Sequence, residues 1–204
     1  IILFYLISTV FLSAQKKGIQ FEHLTVDEGL SSNTVLCFLQ DSRGFLWIGT
    51  YDGLNKYDGY KFIVYKNSPE DSLSISDNMI HTLCEDKYGN IWVGCGWGGG
   101  LNKFNRETEK FTRYLPDPNN PASISSDRIK SICVEKSGNL WIGTEGGGLE
   151  YLEIDKEIFH HYKQDPSNSS SISSNIVYVV YVDKNNFLWA GTTAGLNKFN
   201  KEPN

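Results

Sequence analysis

The sequence predicts an all-β fold: a β-propeller of four-stranded antiparallel blades, with about four repeats present as an incomplete open arc of a larger ring. Tryptophans at positions 47, 92, 141 and 189 are separated by 45, 49 and 48 residues, a spacing that fits one propeller blade or one large helical repeat. The segments around them decide between those two. Leu30 to Thr50, Ile75 to Cys95, Ile124 to Thr144 and Ile172 to Thr192 align without a gap. Each holds a β-branched and aromatic run, a Gly or Asn turn, and a second strand that ends in Gly-Thr or Gly-Cys. Composition agrees, since 11 Phe, 11 Tyr, 5 Trp and 19 Gly stand against a single Met, which favours short strands and tight turns over helices.

In chain order, Ile1 to Ala14 is apolar and the first charge arrives at Lys16. That stretch is shorter than the roughly 20 apolar residues of a membrane-spanning helix. Its end in Leu12-Ser13-Ala14 suits a secretory signal peptide over residues 1–14, one that lacks its own start because the chain opens on Ile1. The propeller is expected over 18–204, with units near 30–66, 75–115, 124–163 and 172–200. In each unit the Trp strand is followed by a Gly-Leu strand, beginning at Gly53, Gly100, Gly148 and Gly195. Three units continue into an aromatic strand, Phe62 to Tyr65, Phe111 to Tyr114 and Phe159 to Tyr162, which gives four antiparallel strands and hence a blade. Polar connections rich in Pro, Asn and Ser read as surface loops. The fourth unit reaches Asn200 without its aromatic strand, and Phe21-Glu-His-Leu24 looks like that missing strand, the outer edge of a blade completed elsewhere. An open arc is preferred to a closed four-bladed ring.

Four cysteines in an exported chain raise the question of disulfides. Cys84 and Cys133 each stand eight residues before a Trp inside apolar runs, Cys37 stands two places earlier in its own repeat, and Cys95 takes the place of Thr50, Thr144 and Thr192. No pair recurs with the period, so they read as small core side chains. A net charge of −5 offers no broad positive field for nucleic acid. His23, His81, His160 and His161 lack metal-ligand spacing, and the adjacent His160 and His161 point to opposite faces of a strand. No metal or cofactor is expected. Gly94-Cys-Gly96-Trp-Gly-Gly99 matches a phosphate-loop pattern in letters but has no helix behind it.

The repeated run resembles the two-component regulator propeller repeat. It reads Asp41-Ser-Arg-Gly-Phe-Leu-Trp47-Ile-Gly-Thr50, Asp86-Lys-Tyr-Gly-Asn-Ile-Trp92-Val-Gly-Cys95, Lys136-Ser-Gly-Asn-Leu-Trp141-Ile-Gly-Thr144 and Asp183-Lys-Asn-Asn-Phe-Leu-Trp189-Ala-Gly-Thr192. Departures are Glu135-Lys136 where Asp is usual, Asn186 in place of the turn Gly, and Cys95 for Thr. The resemblance implies the N-terminal periplasmic sensor of a hybrid two-component histidine kinase. Its implied partners are an oligosaccharide ligand, the remaining blades, and downstream membrane and kinase modules, in a full-length homodimer.

The four repeated tryptophans, Trp47, Trp92, Trp141 and Trp189, are assigned to the core, where each ring fills the wedge between neighbouring blades and buries about 150–250 Å². Function is sought where one repeat departs from the others. Gly96-Trp97-Gly98-Gly99 inserts two residues beyond the first repeat and adds a Trp with no periodic counterpart. An aromatic ring suits the C–H face of a sugar while nearby carboxylates bond its hydroxyls, so Trp97, Tyr51, Asp52 and Glu145, all in equivalent turns, form the candidate ligand cluster. The competing reading is a Trp that covers a blade edge. A secreted propeller lyase or glycosidase would need converging carboxylates or a His on one channel face, and a protein-binding scaffold would bury Trp97 at an interface. No catalytic residue is assigned, and the fragment is not expected to be an enzyme.

Overall fold

The computed structural model describes residues 20–199, so the predicted signal peptide lies outside the described residues. A single 3-10 turn, Val26–Glu28, opens the described chain, and fifteen strands follow. Sheet 1 contains β1 (Val35–Gln40), β2 (Leu46–Thr50), β3 (Gly53–Tyr57) and β4 (Phe62–Tyr65). Sheet 2 contains β5 (Ile80–Glu85), β6 (Ile91–Cys95), β7 (Leu101–Asn105) and β8 (Lys110–Tyr114). Sheet 3 contains β9 (Ile129–Val134), β10 (Leu140–Thr144), β11 (Leu149–Glu153) and β12 (Ile158–Tyr162). Sheet 4 contains β13 (Val177–Val182), β14 (Leu188–Thr192) and β15 (Gly195–Phe199). Every sheet is an antiparallel meander in chain order, and among the described residues the fourth has three strands. The first strands β1, β5, β9 and β13 adjoin one another in sequence, so the sheets stand as successive blades of an open propeller arc.

The repeat Asp-x-x-Gly-x-x-Trp has a direct physical account. Asp86 caps the turn between β5 and β6: its Oδ1 accepts from the backbone N–H of Tyr88 and of Asn90, each at 2.9 Å. Its Oδ2 accepts from the indole Nε1–H of Trp92 at 2.8 Å. Asp41 holds Trp47 at 2.7 Å and Asp183 holds Trp189 at 3.0 Å in the same way. One carboxylate thus closes a turn and satisfies a buried donor that would otherwise cost about 1–3 kcal/mol. Glu135, one methylene longer, still receives the Trp141 indole at 3.2 Å, while its other oxygen takes the Tyr151 hydroxyl at 2.6 Å. There Ser137 Oγ accepts the turn N–H of Asn139. Asn186 sits at φ 67°, the left-handed region where Asn is the least costly substitute for Gly.

Trp47, Trp92 and Trp141 are at most 1% exposed. Each indole meets the next blade. Trp47 lies edge-on to Phe104 at 5.0 Å, Trp92 packs in one cluster with Leu140 and Phe159, and Trp141 lies 5.4 Å from Phe199. Trp189 departs from the predicted core role, being half-buried, because no described blade follows sheet 4 to cover it. The Gly two residues after the Trp permits the close approach of blades. A Cβ on Gly94 would stand 2.5 Å from Ile129 Cγ2 on the next blade's first strand. Phe21 to Leu24 forms no strand, and Phe21 is 81% exposed. The edge strand expected of this segment would complete a blade elsewhere; among the described residues sheet 1 carries its own aromatic strand β4, and sheet 4 ends on β15.

All four cysteines are free thiols, and burial pushes the Cys37, Cys95 and Cys133 thiols up to about 12. No helix among the described residues is long and apolar enough to cross a membrane.

Candidate functional site

The turn joining the second and third strands of each blade lies against the segment that leads into the first strand. Backbone N–H groups of Tyr51, Gly96, Glu145 and Thr193 donate to Thr34, Met79, Arg128 and Ile176 respectively. Across the blade interface, Gly53, Gly100 and Gly148 donate to Asn78, Asp127 and Asn175 of the following lead-in segment. Four turns are thereby fixed side by side at one end of the arc. They carry every residue of the sequence-derived cluster.

Trp97 rises from the longest of these turns and is 74% exposed. Gly99 and Gly100, which carry the chain on from it into β7, are tightly placed. A Cβ on Gly99 would stand 2.4 Å from Asp77 Cβ, and one on Gly100, at φ 64°, would stand 2.5 Å from the Tyr114 carbonyl. Only Gly admits that path, so the backbone presents the indole from a defined position.

A cleft of about 140 Å³ opens beside Trp97, lined by Gly96, Arg128, Lys130 and Glu145. Lys130 is placed by the β-bulge at the start of β9, and its Nζ lies 2.7 Å from Glu145 Oε2. The Arg128 guanidinium approaches Glu145 Oε1 at 3.5 Å. The Lys130 contact, reinforced by Arg128, holds the Glu145 carboxyl below its ordinary range. His81, from the matching bulge of β5, lies under Gly96, and its Nδ1 meets no hydrogen-bond partner. Burial, then the Lys130 charge, keeps the His81 imidazole below its usual range and therefore neutral.

Trp97 and Glu145 share this cleft, whereas Tyr51 and Asp52 belong to the blade-1 turn and do not line it. Tyr51 is 52% exposed. Asp52 is engaged by Lys66 Nζ at 2.6 Å and by Asn78 Nδ2 at 3.3 Å. The sequence reading missed Arg128, Lys130 and His81. Their signal was present, since Leu36, His81, Lys130 and Tyr178 occupy one repeat position with four different chemistries.

The cleft offers one exposed aromatic face beside fixed cationic and anionic groups. At about 140 Å³ it is smaller than the roughly 300 Å³ of enclosed small-molecule sites, so a ligand would lie along the indole. Glu145 is the one carboxylate lining it, already ionised and paired. Such a group accepts hydrogen bonds and is poorly suited to donate a proton as a general acid.

The profile of the two component regulator propeller matches residues 29–52, 74–97, 123–146 and 171–194. Histidine kinase P4 of Formosa agariphila is 49% identical over 67 residues, 33% of this chain and 5% of that protein. The extracellular domain of BT3049 from B. thetaiotaomicron, described as a hybrid two component system, superposes with a TM-score of 0.70 at 30% identity. That match covers 88% of this chain and 30% of the other. The corresponding domain of BT4673 from the same organism gives a TM-score of 0.70 at 26% identity, over 86% of this chain and 23% of the other. The chain therefore spans a minor part of each relative. Four copies of one repeat, each folding as the matched segment requires, place this chain in the two component regulator propeller family.

Proposed function

We propose that this chain is part of the extracytoplasmic ligand-sensing propeller of a two-component histidine kinase, that it recognises oligosaccharides, and that binding signals across the membrane. The observation that carries the reading is Trp97, an indole 74% exposed above a polar cleft and without counterpart in the other three blades. A sugar ring presents C–H groups to such a face while Glu145, Arg128 and Lys130 meet its hydroxyls. The family membership and the extracellular placement of the structural relatives support a sensor role in the periplasm. The remaining blades and the membrane and kinase modules would lie in sequence beyond this chain, in a dimeric whole. Tyr51 and Asp52 would contribute through the neighbouring turn if the ligand extends along the arc.

The test is isothermal titration of a panel of neutral and acidic oligosaccharides into the protein and into Trp97→Ala. Loss of an indole stacking face is expected to weaken binding at least tenfold, a change of about 1.4 kcal/mol. Unchanged heats in the variant reject the site.

A further inference from the structure

Three blades place Asn on the third strand to tie the lead-in segment. Asn55 Oδ1 accepts from the backbone N–H of Ser31 at 2.9 Å and its Nδ2 donates to Ser31 Oγ at 2.7 Å, and Asn102 and Asn197 act alike. Blade 3 has Glu150 at that position, with its side chain fully buried. The register of β11 and β12 sets it directly opposite His161. His161 Nδ1 lies 2.5 Å from Glu150 Oε2, and Nε2 lies 2.9 Å from the carbonyl oxygen of Pro121 in the loop that leads into blade 3. Ser125 Oγ bonds the other Glu150 oxygen.

From this arrangement we infer that Glu150 and His161 form a one-proton latch, which fastens the 116–123 loop to blade 3 while the pair holds its proton and loosens it when that proton leaves. The reasoning is donor arithmetic. A carbonyl oxygen only accepts, so Nε2 must carry a hydrogen to bond Pro121. The short Nδ1 to Oε2 contact then needs one further proton, whether it rests on the ring or on the carboxyl. With that proton gone, either Nδ1 faces a carboxylate or Nε2 faces a carbonyl, lone pair to lone pair. No arrangement of the remaining hydrogen serves both contacts.

The surrounding charges are few. Lys163 is the cation near Glu150, and its field favours the ionised carboxyl. Asp117, Asp165, Lys163 and Lys198 line the clefts on either side of the imidazole. Burial outweighs the stabilising contacts at Glu150 and raises its carboxyl above the ordinary value of 4.5. A group raised on folding contributes stability that is fully present below its unfolded value and is lost as pH rises through its folded value. The latch therefore closes on the acid side. An asparagine, as in the other blades, would tie Ser125 with no dependence on pH.

The experiment combines two readouts on the protein and on Glu150→Gln and Glu150→Asn. The first is the ¹⁵N shifts of the His161 ring nitrogens between about pH 5 and pH 9. The second is folding stability over the same range, where one released proton lowers the folding constant by up to tenfold per pH unit. The expected result is a His161 ring that loses its proton in step with the fall in stability. In both variants that step in stability should vanish, since Gln can donate to Nδ1 and Asn restores the repeat. Equal pH slopes in all three proteins, or a His161 ring whose titration is the same with and without Glu150, would overturn the latch. A variant that fails to fold leaves the ring shifts of the unmodified protein as the deciding measurement: a ring that titrates like an exposed histidine, independent of stability, also overturns it.

Discussion

Removing Asp86 tests the link between the turn and the wedge. In Asp86→Ala the Trp92 Nε1–H loses its acceptor at a place where the residue is 1% exposed. Leaving that donor unpaired costs about 1–3 kcal/mol. The backbone N–H groups of Tyr88 and Asn90 also lose the carboxylate. Tyr88 is 60% exposed, so water replaces these bonds in part and each loss falls to about 0.5–1.5 kcal/mol. The expected total is about 2–6 kcal/mol. In a chain of this length each kcal/mol lowers Tm by about 2–4 °C, which predicts a fall of roughly 4–24 °C. The assay is thermal unfolding followed by circular dichroism, with Asp183→Ala as the comparison. Asp183 makes the same bonds, but its Trp189 is half-buried and water can reach the indole, so the fall should be smaller. An Asp86→Ala protein no less stable than Asp183→Ala would refute the claim that the buried indole makes the carboxylate necessary.

Three further outcomes follow from the same geometry. Gly94→Ala should lower stability by about 1–3 kcal/mol, because the new Cβ would lie 2.5 Å from Ile129 and 2.6 Å from Thr82, and such overpacking outweighs the entropic gain of about 0.4–1 kcal/mol; denaturant midpoints decide it. Thiol labelling of the folded protein at neutral pH should leave Cys84 and Cys95 unmodified and Cys37 and Cys133 nearly so, since burial raises every one of these thiols; rapid labelling of any before unfolding would contradict the burial. Stability should fall as pH drops below about 4.5, because Glu157, held low first by the Tyr114 hydroxyl, and Glu145, held low first by Lys130, must then take up protons against those contacts. Lys130→Met should flatten that acid limb in an unfolding titration.

Much of the fold was legible in the sequence because one pattern repeats. Four tryptophans in register, each followed by Gly, fixed both the strands and their inward face, and the absence of a periodic cysteine pair anticipated free thiols. What stayed hidden depends on contacts between segments. The carboxylate six residues before each repeated Trp, Asp in three blades and Glu135 in blade 3, was visible in the sequence, but its bond to the indole requires the turn geometry. Trp189 carries the same signal as Trp92 yet differs in burial, because burial belongs to the next blade.

The candidate site was half legible. Trp97 stood out because nothing in the other repeats matches it, and Glu145 because its turn is equivalent. Lys130 and His81 were missed because their positions read as ordinary first-strand residues until the bulge turns them toward the turns, and Arg128 because it reads as part of the polar lead-in segment. Tyr51 and Asp52 lie in an equivalent turn but one or two blades away, and equivalence in a repeat is not proximity. Glu150 was visible as an exception to Gly-Leu-Asn, whereas its pairing with His161 follows only from the β11 to β12 register.

The division between a frame of buried indoles and one indole set apart for recognition is tested most directly by comparing Trp92→Ala with Trp97→Ala in unfolding and in oligosaccharide titration. Trp92→Ala should lose about 3–5 kcal/mol of stability, and Trp97→Ala should unfold like the unmodified protein while losing its binding heats. A Trp97→Ala protein destabilised as much as Trp92→Ala, or one that still binds with unchanged heats, would contradict it.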